Sequence, residues 1–389
     1  MRTAVEVVVI AAVAALTLRR GVLLAAALVP RLPLPGSPVL PSVTVLVAAR
    51  NEGAVAERLL ASLSKLDYPA DRLSFVLVCD GCTDGTAAAF RAWAVRRPDV
   101  WVMERAAHQG KAAALNEGLA LAGGEIVVVL DADLQPRPDF IRKLVPTFAD
   151  EHVAAAAGYT RPANADDNVV TRYAAVTSWV AQLVTSAGKD RLGLNPPTFG
   201  AAAYRRCAIE AIGGFPVVSA GVDVAASRGL TRQGWRTRFV PAAVAENTVV
   251  SDVGDYWRQH IRWARGGFGT SAQKRSRFRG TASQRIESWA AAVGYGDRLV
   301  FLVAAAGAIA GALPWWLPIL YLAAPGVEIL AAALKAGVRR GLPRVLLATL
   351  LLFAADLMAS LSAVAVHAAR RPHRWHSPRP RPASAESNR

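Results

Sequence analysis

The sequence predicts an α/β domain with a mostly parallel sheet and helices on both faces, bracketed at each end of the chain by membrane-spanning helices. Three observations carry that prediction. β-branched strand patterns alternate with helical ones through the first half of the interior, and long charge-poor apolar runs occupy both ends of the chain. A proline-punctuated stretch separates the first apolar run from the first strand. Strand, helix, strand at this spacing is the pattern of parallel sheets covered on both faces. A chain of 389 residues has room for one such domain of roughly 200 to 250 residues plus the spans.

In chain order, Ala4 to Leu18 is apolar and closes on Arg19 and Arg20, after which Gly21 to Val29 is apolar again. As a helix the first run reaches only about 22 Å against a hydrocarbon core of roughly 30 Å. It spans if the arginines snorkel and the second run joins it. A signal peptide is the competing reading, but a basic start and a clear small-residue cleavage site are missing. Segment 1–30 is therefore expected to be a transmembrane segment. Pro30, Pro33, Pro35, Pro38 and Pro41 make 31–41 a stiff linker.

The α/β domain, 42–248, opens on the strand Val43 to Ala48. Helix Ala54 to Leu66, strand Leu73 to Cys79, helix Thr86 to Arg97 and the buried strand Glu125 to Leu130 follow. Residues 249–297 read as amphipathic interface helices, 298–367 as C-terminal transmembrane helices and 368–389 as a basic disordered tail. Within the C-terminal part, Leu299 to Leu313 and Trp315 to Leu334 read as a hairpin around Pro314. Val345 to Val366 is long enough to cross alone, provided Asp356 finds a partner. Three full crossings would place the basic tail on the side opposite the catalytic domain, against the positive-inside tendency. One segment is therefore expected to be interfacial or re-entrant.

The formal net charge is +16. Much of it flanks apolar segments, in Arg258 to Arg285, in the loop with Lys335, Arg339, Arg340 and Arg344, and in the tail from Arg370 to Arg381. That distribution suits membrane lipid head groups rather than nucleic acid, which needs basic residues interleaved with stacking aromatics on one soluble face. Cys79 and Cys82 form a C-x-x-C, yet no second pair or histidine set completes a zinc site, so a redox or metal role is set aside.

Three strands end in polar residues, giving Ala49-Arg50-Asn51-Glu52, Asp80-Gly81-Cys82-Thr83-Asp84-Gly85-Thr86 and Asp131-Ala132-Asp133. In parallel sheets ligands bind beyond the carboxyl ends of the strands, so these residues converge on one crevice. Carboxylates gathered there repel one another unless a cation or a donor-rich ligand intervenes. Asp-x-Asp after a buried strand suits a small hard cation, which takes one or two carboxylates and completes its shell with phosphate oxygens and water. Gly110-Lys111 lies upstream, where a glycine before a helix lets amides approach an anion and the lysine adds a point charge. A P-loop fails on spacing, because its first glycine falls at Arg105 and Ala112 follows the lysine.

This set, with Gly110-Lys111-Ala112-Ala113-Ala114-Leu115-Asn116, resembles glycosyltransferase family 2 and implies its nucleotide-binding GT-A fold. Gly200 through Arg205-Arg206 and Gly213-Gly214-Phe215 are similar to that family's acceptor-side segment. Gln259-His260-Ile261-Arg262-Trp263 resembles its Q-x-x-R-W box. The resemblance runs from about Val43 to Gly267. Its last box looks like the membrane-bound branch with the cellulose, chitin, hyaluronan and poly-N-acetylglucosamine synthases.

The resemblance implies a role for each matching position. Ala49, Glu52 and Asp80 would bind the donor, the last two at the uridine, and Lys111 would meet the diphosphate. Asp131 and Asp133 would hold the sugar nucleotide and a Mg2+ or Mn2+ ion. Asp223 stands where the family has the base of its Glu-Asp pair, with Val222 in place of the glutamate. One carboxylate suffices to take the acceptor proton during in-line attack, which inverts the sugar carbon. Without the family, Asp223 reads as a helix-start aspartate stabilised by amides and the dipole. Gln259, Arg262 and Trp263 would serve the acceptor and diphosphate, with Trp263 stacked on a sugar face. On residues alone they form one face of a surface helix.

The expected activity is an inverting, metal-dependent transfer from a nucleotide sugar, UDP-linked, to a glycan or lipid-linked acceptor. Its place is the cytoplasmic face of a bacterial-type plasma membrane. The Q-x-x-R-W box favours repeated addition, and the small number of spans favours single addition. Val222 keeps open a third reading, an inactive nucleotide-sugar-binding subunit.

Overall fold

The computed structural model describes residues 2–30, 40–218, 221–271, 281–293 and 297–368. Nearly all of the linker and the basic tail expected from the sequence lies outside these residues.

Helix α1 (Arg2–Leu28) runs unbroken through Arg19 and Arg20. Then come β1 (Val43–Ala49), α2 (Gly53–Leu63), β2 (Leu73–Asp80), α3 (Thr86–Ala94), β3 (Val100–Arg105), α4 (Lys111–Leu121) and β4 (Ile126–Asp131). The chain continues with β5 (Gln135–Pro136), α5 (Phe140–Leu144), β6 (Val153–Pro162) and α6 (Val169–Trp179). A π-helical turn, Val180–Ser186, joins α6 to α7 (Ala187–Arg191). After them stand β7 (Ala201–Arg205), α8 (Arg206–Ala211), α9 (Val222–Arg232) and β8 (Arg236–Asn247). The remaining helices are α10 (Val253–Ser271), α11 (Ala282–Val293), α12 (Asp297–Ile309), α13 (Trp316–Lys335) and α14 (Leu342–Ala368).

The strands form one eight-stranded sheet in the order β3-β2-β1-β4-β7-β6-β8-β5. β3, β2, β1 and β4 are mutually parallel, as the strand-helix alternation predicts. Beyond β4 the sheet is mixed, because β7 runs antiparallel to both β4 and β6 while β6 and β8 are parallel. β6 and β7 carry four and three consecutive alanines in place of β-branched residues, which hides them from a propensity reading. They hold as strands because they are buried against large neighbours, including the fully buried Tyr204 and Phe239.

Two apolar cores cover the two faces. The first packs Leu59, Leu63, Phe90 and Phe140 from α2, α3 and α5 on one side. The second packs Leu115, Val176, Ala226 and Leu230 from α4, α6 and α9 on the other, and it continues into Ala332, Ala333 and Val345 of α13 and α14. The apolar C-terminal helices are therefore built onto the second layer of the α/β domain.

Among the described residues three helices are long and apolar enough to cross a membrane: Ala4–Leu28, Trp316–Lys335 and Leu342–Ser362. The expected hairpin around Pro314 forms, but its first arm α12 has 13 residues, about 20 Å, and falls short of a span. α1 serves as a ruler for the hairpin. Asp297 at the start of α12 meets Arg20, Leu313 and Leu317 cluster with Val9 and Val13, and Lys335 Nζ donates to the Ala27 carbonyl at 2.9 Å. So α12 runs away from the α/β domain along α1, and α13 returns.

The α1 arginines do not snorkel; they turn to carboxylates. Arg20 bridges Asp297 at 2.6 Å and Glu328 at 3.3 Å, and Arg19 meets Glu287 at 2.5 Å. Asp356 also finds the partners it requires, accepting from Tyr256 Oη at 2.8 Å and from Arg298 at 2.9 Å. Removing one side of a buried pair strands the other charge, at a cost of about 3 kcal/mol or more. Arg20→Ala is therefore predicted to lower the unfolding midpoint of the full chain in detergent substantially, whereas an unchanged midpoint contradicts this assignment.

Candidate active site

β2, β1 and β4 are neighbours in the sheet, so their carboxyl ends bring Asp80, Ala49 and Asp131 side by side. A cavity of 1220 Å3 opens over them. It is lined by Ala49, Glu52, Asp80, Lys111, Asp131, Asp133, Asp223, Gln259, Arg262 and Trp263, so every site residue singled out from the sequence borders one space.

At the β2 end, Asp80 is 3% exposed and accepts from four donors. Oδ1 takes Arg105 Nη1 at 2.5 Å and the Gln109 amide at 3.1 Å, while Oδ2 takes His108 Nδ1 at 2.6 Å and the Gly110 amide at 3.0 Å. Burial pushes its pKa up, but the Gln109 amide, His108 and the Gly110 amide outweigh that and hold it below the usual carboxylate range. The expected contact between Asp80 and uridine therefore meets a carboxylate whose acceptor sites are filled. What Asp80 visibly does is fix the 108–110 turn that delivers Lys111. Arg105 and His108 were not singled out from the sequence, because only the folding of β3 beside β2 brings Arg105 to Asp80.

The acidic loop motif after β2 also has a local explanation. Asp84 accepts from the Gly53 amide at 2.9 Å and the Thr86 amide at 3.0 Å, and Asn51, at φ 55, accepts from the Thr83 amide at 2.8 Å. The two loops are thereby locked together beneath Glu52. Cys79 is buried and its thiol is pushed far up, first by burial and then by Cys82. That suits the packing role expected of it rather than a reactive one.

Lys111 opens α4 directly after Gly110, whose φ of 101 only glycine adopts freely. Its Nζ donates to Asp131 Oδ1 at 2.6 Å and to Asp223 Oδ2 at 3.1 Å. Asp131 is pinned in turn, its amide donating to the Gly200 carbonyl at 2.8 Å. A Cβ on Gly200 would fall 2.2 Å from Asp131 Oδ2, so glycine is required there. Asn116 of α4 exchanges two hydrogen bonds with the Phe215 backbone, at 2.7 and 2.9 Å. The Gly213-Gly214-Phe215 segment thus holds the helix that carries Lys111.

Asp133 is open to the cavity, but the surrounding walls displace bulk water. Burial, followed by the repulsion of Asp131, raises its pKa to about 6. Asp223 lies in the first turn of α9, and burial pushes its pKa up against the pull of Lys111. Its backbone carbonyl accepts from Thr198 Oγ1 at 2.8 Å, and Tyr204 Oη lies 2.9 Å from that hydroxyl. Val222 is buried in the second core with Ala226 and Leu230. The chain packs hydrocarbon where the family pattern has its glutamate.

α10 supplies Gln259, Arg262 and Trp263. Burial lowers the Arg262 pKa against the pull of Asp131 and Asp133, and its Nε is buried with no hydrogen-bond partner among the described residues. Such an orphan donor beside two carboxylates suits an anion carried in with a ligand. Trp263 is 45% exposed, and its ring lies 5.1 Å from His260, which stacks on Tyr256 at 3.8 Å. Among the described residues no group of three or more His, Cys, Asp or Glu side chains forms a metal cage. Asp131 and Asp133 nevertheless fit a hard cation that takes its remaining oxygens from phosphate and water.

Residues 41–266 match a family model described as glycosyltransferase like family 2. The chain is 30% identical over 234 residues to the probable glycosyltransferase YdaM of Bacillus subtilis, covering 58% of this chain and 55% of that protein. It is 32% identical over 237 residues to the β-monoglucosyldiacylglycerol synthase of Nostoc sp., covering 59% and 49%. To the poly-β-1,6-N-acetyl-D-glucosamine synthase of Staphylococcus aureus it is 26% identical over 233 residues, covering 59% and 55%. The chain thus spans about half the length of the curated relatives it matches. The mannosyltransferase PcManGT from Pyrobaculum calidifontis, solved in complex with GDP-Man and Mn2+, superposes with a TM-score of 0.66 over 96% of this chain and all of that one. At 24% identity that likeness shows the fold alone. With strand ends and cavity arranged as described and the family model matching well over half of its residues, the chain belongs to glycosyltransferase family 2 and has the GT-A fold.

Proposed function

We propose that the protein is an inverting, metal-dependent glycosyltransferase that moves a sugar from a nucleotide donor to a glycan or lipid-linked acceptor at a membrane. In this reading residues 42–248 are catalytic and 249–297 form the interface with the membrane helices. The observation that carries it is the Lys111 bridge, which gathers the first aspartate of Asp131-Ala132-Asp133 and the buried Asp223 around one ammonium.

Asp131 and Asp133 would hold Mg2+ or Mn2+, which neutralises the charge growing on the departing nucleoside diphosphate. Lys111 and Arg262, whose Nε lacks a partner among the described residues, supply protein-borne positive charge for the same phosphates. When the diphosphate draws on Lys111, Asp223 loses its ammonium partner and is left as a buried carboxylate with a raised pKa. It then takes the acceptor hydroxyl proton as that oxygen attacks the anomeric carbon and the bond to the diphosphate breaks. Attack opposite the leaving group inverts the centre. Val222 leaves Asp223 to act without a neighbouring carboxylate. Trp263 offers an indole face to the acceptor sugar.

UDP is the expected donor nucleotide. The catalytic side is proposed as cytoplasmic in a plasma membrane. Lys335, and with it the α13–α14 turn bearing Arg339 and Arg340 and the first turn of α14 with Arg344, lies at the α/β-domain end of α1, as the positive-inside tendency requires. Single addition is favoured over polymer synthesis by one feature. Ion pairs occupy the interior between α1, α12 and α13, where the side chains of Arg20, Asp297 and Glu328 are 17%, 7% and 5% exposed.

Asp223→Asn is predicted to cut sugar transfer about a thousandfold while donor binding, measured by calorimetry, persists. Unchanged transfer reassigns the base. Absence of turnover in the parent protein with every donor, cation and membrane lipid supports the inactive-subunit reading instead. Asp223 acts ionised and burial raises its pKa, so turnover is predicted to climb as pH rises above the usual carboxylate range. A profile flat from pH 5 to 8 contradicts that assignment.

A further inference from the structure

Asp356 stands near the middle of α14, in a stretch long and apolar enough to cross a membrane, and is 4% exposed. Packed hydrocarbon of the same volume is often as stable as a buried ion pair. Stability alone therefore gives no reason for a carboxylate there, and ionisable groups in such helices are costly and kept for function. Its two oxygens have different partners. Oδ2 accepts from Arg298 Nη2 of α12 at 2.9 Å, and the same guanidinium reaches Asp297 through Nη1 at 2.7 Å. Oδ1 accepts from Tyr256 Oη of α10 at 2.8 Å, 100 residues back in the chain.

Tyr256 is the root of the α10 face that borders the cavity. It is 2% exposed and packs with Val170, Tyr173 and Ala174 of α6 and Ala348 of α14. His260, one turn on, stacks on its ring at 3.8 Å and sets Nδ1 2.9 Å from the Tyr256 carbonyl oxygen. Trp263 lies 5.1 Å beyond, ring to ring with His260. Gln259, Arg262 and Trp263 border the cavity, and so do Arg298 and Asp356. Arg262 carries the consequence. Asp131 and Asp133 attract it, yet among the described residues no hydrogen bond or ion pair fixes its guanidinium. Where that charge stands is thus decided by the placement of α10. Arg262 and Trp263 lie about 9 to 11 Å along the helix axis from Tyr256, so a tilt or rotation of α10 at Tyr256 moves both.

We infer that Asp356 and Arg298 are positioning residues of the diphosphate site: through the Tyr256 hydroxyl they fix α10 so that Arg262 faces an anion held beside Asp131 and Asp133. The inference rests on reading the cavity as a transferase site. A hydrogen bond is directional where apolar packing is not, so the Asp356 contact selects one rotation of α10 about its own axis. Arg298 holds the carboxylate from α12 and aims its other oxygen at α10. Affinity for the donor phosphates is in this way tied to the packing of the apolar helices.

The test is a double-mutant cycle on the full chain in phosphatidylcholine nanodiscs, with manganese pyrophosphate as probe and calorimetry as readout. Tyr256→Phe deletes one hydroxyl, keeps the ring stack and leaves Asp356 its bond to Arg298. It is expected to weaken pyrophosphate binding about fivefold. Arg262→Gln is expected to weaken it about tenfold, and adding Tyr256→Phe to that variant is expected to cost nothing more. Full binding by Tyr256→Phe, or losses that simply multiply in the double variant, overturns the inference. Where Tyr256→Phe fails to fold, Asp356 carries the comparison: Asp356→Asn still offers an oxygen to Tyr256 and is expected to bind about fivefold more tightly than Asp356→Leu. Equal binding by those two variants overturns the inference as well. Nucleoside diphosphate release from a panel of UDP-sugars is followed in parallel. Coupled pyrophosphate binding without any turnover supports the placement of α10 and overturns the transferase reading, whereas turnover without coupling overturns the positioning role alone. No pyrophosphate binding by the parent protein overturns both.

Discussion

The site depends on one contact, the Lys111 ammonium held between Asp131 and Asp223. Without it, two carboxylates facing the same cavity repel each other. With it, a strand-end aspartate from β4 and a helix-start aspartate from α9 are held on one ammonium, although they are far apart in the chain. Much of the surrounding architecture serves that position. Asp80 fixes the turn before Lys111, Asn116 fastens α4 to the Gly213-Gly214-Phe215 segment, and Gly200 makes room for Asp131. Thr198 and Tyr204 hold the start of α9 from beneath.

The same electrostatic logic extends into the apolar helices. Arg19, Arg20, Arg298 and Asp356 lie in segments that otherwise carry hydrocarbon, and each is matched by an opposite charge on another element. These pairs tie α1, α11, α12, α13 and α14 into one unit with the α/β domain, and the cavity over the strand ends extends to some of the same charges. The carboxylates at the cavity and the apolar helices therefore belong to one continuous polar system. That continuity suits the proposed transfer from a soluble donor to an acceptor held at a membrane.

The sequence made the local parts of this arrangement legible and hid the long-range ones. Asp131-Ala132-Asp133 and Gly110-Lys111 are short patterns at element ends, and both border the cavity. The parallel half of the sheet was readable because β1, β2 and β4 are rich in valine and leucine. β6 and β7 were not, since alanines enter strands through close packing rather than propensity. Arg20 gave no sign of its partners, which lie 277 and 308 residues away. Asp80 shows the limit most clearly. Its position at a strand end suggested a ligand contact, yet only the folded chain shows four protein donors already in place.

The most direct test of the Lys111 bridge is the pH dependence of nucleoside diphosphate release by the full chain and by Lys111→Met. Removing the ammonium leaves burial and Asp131 to act on Asp223 unopposed. Release is expected to fall about a hundredfold or more, with the acid limb of the residual activity moving to higher pH. A variant that keeps both the parent rate and the parent acid limb contradicts the bridge.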